Sequence, residues 1–132
     1  MFSFVKANAK PEFPVIKTLP TTASTEYKIG DALILSGGGL VKATGTTKPE
    51  YIAAANYSAP ATGMEPLPAY LIAPGMEWET TFAADATAVT EGTKVTIHTD
   101  GAQVTATATS GVAQILKKHG TGAAGIKVTV TF

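Results

Sequence analysis

The chain has 132 residues, no cysteine and no arginine, and its ten lysines balance ten acidic residues to a formal charge of zero. That length makes one domain, whose folding hides roughly two-thirds of the unfolded surface without help from a metal or a disulfide. The missing cysteines exclude disulfide frameworks, thiolate zinc sites and cysteine nucleophiles, and the missing arginines argue against a nucleic-acid partner.

The only basic cluster is Lys117-Lys118, and no apolar run approaches the eighteen or so residues of a membrane span. The opening "MFSFVKANAKPEFPVIK" lacks the basic and uninterrupted apolar regions of a signal peptide, so a soluble chain made in a reducing cytoplasm is expected. Charged residues make up only 15% of the chain, whereas alanine and threonine are abundant. Threonine suits a half-exposed pleated surface, and a surface so poor in charge suits close contact with other subunits.

Residues 1–25 read as an extended arm. "PEFPVIKTLPTTAST" carries three prolines and ends in a polar run, yet Phe2, Phe4, Val5, Phe13, Val15 and Ile16 make the arm too apolar for an idle tail. These six are the expected contact residues, docking on this domain or on a partner.

From Tyr27 the pattern is β. "YKIGDALIL" leads into Gly37-Gly38-Gly39 and "LVKAT" leads out, so the glycines read as a hairpin turn. A phosphate cradle would need a helix behind the glycines, and the chain instead continues strand-like to Pro49. "PEYIAAA" is a further short apolar run, "TGMEPLPA" a proline-broken loop, and "YLIA" a short run after it. "GMEWETTF" alternates, with Met76, Trp78, Thr80 and Phe82 on one face and Glu77, Glu79 and Thr81 on the other.

"TKVTIHTDGAQVTATAT" reads as a hairpin turning at Asp100-Gly101. "GVAQILKK", the glycine-rich "HGTGAAG" and "IKVTVTF" make a last hairpin, although "SGVAQILKK" also fits a short helix. The segments from Gly30 and from Gly92 echo one another, either as two similar hairpins or as two strand pairs obeying the same physics. The fold class is therefore mostly β, a small barrel or sandwich of antiparallel hairpins over residues 26–132 with little helix.

No catalytic, cofactor or metal constellation emerges. Glu77 and Glu79 are the ordinary outer face of a half-buried strand. His98 and His119 lack a carboxylate set that would hold a metal. Ser36, Ser58 and Ser110 lie in no nucleophile elbow, and Asp31 reads as a turn cap. Trp78 belongs to the core, and Tyr51, Tyr57 and Tyr70 make a stacking platform only if they converge in space.

The stretches "YKIGDALILSGGGLVKATGTTKPEYIA", "MEWETTF", "VTEGTKVTIHTDGAQVTATATSGVAQIL" and "GIKVTVTF" resemble small head proteins of tailed phages and prophages. The likeness is to capsid decoration (cement) proteins, broadly of the lambda-type head-stabilising kind, and covers about four-fifths of the chain. It implies a non-enzymatic β-barrel-like virion protein on the outer surface of an icosahedral head, bridging major capsid protein subunits. It further implies a homotrimer that touches neither the packaged DNA nor a membrane. The alternative is a free-standing β module that binds a carbohydrate or receptor from a phage tail or cell surface.

Overall fold

The computed structural model describes residues 1–7 and 14–132, and among them it holds twelve strands and no helix. One five-stranded antiparallel sheet runs in the order β1 (Ser3–Ala7), β9 (Met76–Thr81), β12 (Lys127–Thr131), β11 (Ala113–Lys118), β10 (Lys94–Val95). The other runs β2 (Ile16–Pro20), β8 (Pro66–Leu71), β6 (Tyr51–Ala53), β4 (Ala32–Ser36), β5 (Gly39–Lys42). A ribbon of β3 (Glu26–Tyr27) and β7 (Tyr57–Ser58) completes the set. The expected antiparallel β architecture is present in a sandwich-like form.

Strand faces decide the layers. In β9, Met76, Trp78 and Thr80 are buried while Glu77, Glu79 and Thr81 face outward, which is the alternation its sequence carries. Trp78, Ile115, Val128 and Val130 of the first sheet meet Ala32 and Ile52 of the second in the larger core. Tyr27, Leu33, Leu40 and Leu67 build a smaller core, joined by Ala53. Neighbours in β4 and β6 thus serve different cores, so this sheet is apolar on both faces and its strands read as continuous runs such as "ALIL".

The second sheet curls around the smaller core. Its outer strands approach at a parallel bridge between Thr21 and Leu40. The Leu40 carbonyl accepts from the Tyr27 hydroxyl at 2.6 Å and from the Thr22 hydroxyl at 2.8 Å.

The turn at the three glycines divides its labour. Ser36 pairs with Gly39, leaving Gly37 and Gly38 as a two-residue loop with φ of +63° and +88°. Positive φ at both positions matches the twist of the flanking strands. Gly39 acts differently: a Cβ there would lie 2.7 Å from the Thr22 hydroxyl oxygen and 3.0 Å from the Thr21 carbonyl.

Two local expectations are corrected, and the last hairpin is present. The segment read as a proline-broken loop contains β8. Its prolines are tolerated because β6 ends at Ala53, short of Pro66, and only the Pro68 carbonyl is used, accepting from Ala54 N–H. The segment that also fitted a helix is β11, paired with β12.

The hairpin turning at Asp100-Gly101 is not a two-residue turn. His98 N–H donates to the Gln103 carbonyl at 2.8 Å, which leaves a four-residue loop of 99–102. The Asp100 carboxylate closes it by accepting from Ala102 N–H at 2.8 Å and Gln103 N–H at 3.1 Å. Nor do its arms form one ladder. Ile97 bridges Gly45 as well as Val104, and Val104 also bridges Phe82. The segment stitches the end of the second sheet to the end of the first, unlike its echo at β4–β5.

The segment read as an arm supplies an outer strand to each sheet. β1 pairs with β9 and β2 with β8. Docking in this way gives the backbone polar groups of proline-flanked chain their partners.

Candidate interaction surface

The candidate acidic and histidine side chains make structural contacts. Glu77 pairs with Lys6 at 3.6 Å and Glu79 with Lys127 at 2.8 Å across the outer face of the first sheet. His119 Nε2 lies 2.8 Å from the Thr129 hydroxyl, and His98 Nδ1 lies 3.3 Å from the Asp100 carboxylate. Asp31 accepts from Lys28 N–H at 2.9 Å, the turn cap its position implies, and also meets Lys42 at 3.1 Å. Among the described residues no three His, Asp or Glu side chains form a metal-holding group.

Two carboxyls are shifted. Burial pushes Asp100 up, but the N–H groups of Ala102 and Gln103, together with His98, outweigh it and hold Asp100 below its ordinary 3.8. Hydrogen bonds from Thr87 hold the exposed Asp85 carboxyl below the same value.

The aromatic residues do not form a platform. Tyr51 and Tyr57 pack against the smaller core, whereas Tyr70 packs against the larger one. Tyr70 lies 6.4 Å from Trp78, and Trp78 is fully buried.

The six expected contact residues divide. Phe2 is buried, its ring 5.4 Å from that of Phe132. Phe4 is half-buried, edge-on to Trp78 at 5.5 Å. Val5, Val15 and Ile16 are exposed, the last two by 56% and 58%. Phe13 lies outside the described residues. Val5 is the extra residue of a bulge, since Phe4 pairs with Trp78 and Lys6 with Glu77.

These strands border a groove of about 480 Å³. Phe2, Phe4, Pro14, Ala53 and Tyr70 line it, and exposed Met1, Ile16 and Ile29 stand along it. Ser3 completes the lining, which among the described residues carries no charged side chain. Ile29, Ala53 and Tyr70 were not legible as neighbours of the arm, and Met1 was not among its expected contact residues. The one signal was the apolar Ile29 beside Gly30 at a strand start, and the link itself is tertiary: Phe2 N–H donates to the Gly30 carbonyl at 2.9 Å.

Backbone groups beside the groove have no partner among the described residues. The Val15 carbonyl accepts from Leu71 N–H and Thr21 N–H donates to the Glu65 carbonyl, so the odd-numbered residues of this stretch hydrogen-bond toward β8. Ile16 and Thr18 therefore aim their N–H and C=O groups away from β8, at the outer edge of the sheet. An apolar wall next to free strand hydrogen bonds can hold an extended segment by its backbone and its side chains together.

No helix among the described residues is long and apolar enough to cross a membrane. The chain matches no protein-family model and no curated protein sequence.

Proposed function

We propose that this protein is a non-enzymatic capsid decoration protein. In this reading it binds the outer surface of an icosahedral phage head and stabilises it by bridging major capsid protein subunits. The observation that carries the surface is the apolar groove, flanked by exposed Val15 and Ile16 and by the outer edge of β2, whose outward backbone groups have no partner among the described residues. The identity of the partner rests on the sequence resemblance. A homotrimer placed on the virion surface belongs to the same proposal, with no role for nucleic acid or membrane. Many weak copies around a shell add through multivalency, so each groove need supply only modest affinity.

The test is co-sedimentation with expanded, empty heads, and the expected result is binding at a fixed number of copies per shell. Removing residues 1–20 would strip β1 and β2 from their sheets, so surface substitutions are the better probe. Val15→Asp with Ile16→Asp introduces charge at an exposed apolar rim and is expected to weaken binding at least about tenfold, or ~1.4 kcal/mol per site. Unchanged binding by this folded variant sinks the assigned surface; failure of the wild-type protein to bind any head sinks the function.

A further inference from the structure

We propose that the 98–103 loop is an acid-released latch tying the two sheets together, with the Asp100 carboxylate as its catch. Three successive carbonyls of this loop accept from three different directions. The Asp100 carbonyl accepts from Lys42 Nζ of β5 at 3.2 Å. The Gly101 carbonyl accepts from Ala32 N–H at the head of β4 at 2.7 Å. The Ala102 carbonyl accepts from the Thr80 hydroxyl of β9 at 2.6 Å. Gln103 Nε2 adds a bond to the Thr81 hydroxyl at 2.7 Å. Both sheets are thus fastened to one short loop.

Beside the backbone bonds from His98 N–H to the Gln103 carbonyl and from Gly101 N–H to the His98 carbonyl, one side chain shapes the loop. Asp100 Oδ1 accepts the N–H groups of Ala102 and Gln103, which orients the carbonyls that hold the sheets. Protonation turns that carboxylate into a weaker acceptor.

The charged surroundings point the same way. His98 faces Asp100 from the loop itself, Lys42 reaches it from β5, and Asp31 shares Lys42 from the head of β4. The Met1 amino group donates to the Ala102 carbonyl at 2.6 Å. Protonation of Asp100 removes the negative charge that faces these groups within the loop.

Folding lowers the Asp100 carboxyl below 3.8. Its contribution is therefore fully present above the unfolded value and is lost as pH falls through the lower folded one.

Amide hydrogen exchange on the full chain, followed residue by residue by NMR, tests this. Between about pH 5 and about pH 2.5, protection at Ala32, Ala102 and Gln103 is expected to fall roughly tenfold for each unit by which folding lowers that carboxyl. The amides of Val128 and Val130 in β12 should keep theirs. Asp100→Asn retains an acceptor oxygen but does not titrate, so the acid response of the three amides should vanish. Asp85→Asn, at the other lowered carboxyl, should leave it intact. The latch is overturned if Asp100→Asn keeps the response, if Asp85→Asn abolishes it, or if all amides lose protection together.

Discussion

Lys42 Nζ lies 3.1 Å from the carboxylate of Asp31, whose side chain is only 2% exposed. The pair joins neighbouring strands at the end of the second sheet, and Lys28 N–H supplies a further bond to the same carboxylate. Removing Lys42 leaves the buried Asp31 carboxylate without its counter-charge and with only the Lys28 N–H bond, which costs more than an exposed pair is worth. Lys42→Met is expected to lower stability by about 3 kcal/mol. Urea denaturation checks this, and Asp31→Asn with Lys42→Met together should cost less than the sum of the two single changes.

The three glycines should respond differently to substitution. Gly37→Asn is expected to be within about 0.5 kcal/mol of the parent, since asparagine tolerates the positive φ of this turn position. Gly38→Ala meets open space but keeps a φ of +88°, and should cost about 1 kcal/mol. Gly39→Ala drives a Cβ against the Thr22 hydroxyl and the Thr21 backbone, and should cost the most, roughly 2 kcal/mol or more. Thermal unfolding of the three variants gives the ranking.

Trp78 is the largest fully buried side chain, and Phe4 and Tyr70 both pack on it. Its indole N–H has no hydrogen-bond partner among the described residues. Trp78→Ala is expected to cost about 4 kcal/mol through the cavity it leaves. Trp78→Phe should cost roughly half as much, because it keeps a ring for its neighbours and removes a buried unpaired donor. Equilibrium unfolding followed by circular dichroism compares the two without relying on tryptophan fluorescence.

Met64 is 66% exposed and holds a φ of +67°. Its side chain gains little from burial, while its backbone sits where a Cβ is crowded. Met64→Gly relieves that crowding at the expense of a more flexible unfolded chain, and a net gain of up to about 1 kcal/mol is expected. A fall in the urea midpoint would show that the side chain makes contacts outweighing the strain.

Features that depend on near neighbours could be read directly. The two faces of Met76–Thr81 follow from period-two alternation, and the turn at Gly37-Gly38 from the backbone freedom of glycine. The absence of arginine and cysteine, and the apolar character of Val15 and Ile16 in a proline-broken stretch, were likewise available from residue type and proline spacing.

What only the tertiary structure decided concerns pairing between distant segments. Ser3 lies opposite Glu79 and Ile16 opposite Tyr70, so one apolar stretch is divided between two sheets. That division buries Phe2, leaves Ile16 exposed, and opens an apolar groove near Ile29 and Tyr70. Pro66 and Pro68 fit a strand only because of which neighbour each faces, and the 98–103 loop became a fastening because three remote donors reach its carbonyls. Alternation and turn chemistry are local properties that a sequence carries residue by residue. Free edges, grooves and inter-sheet bonds depend on which remote backbone groups find each other, and compact packing settles that.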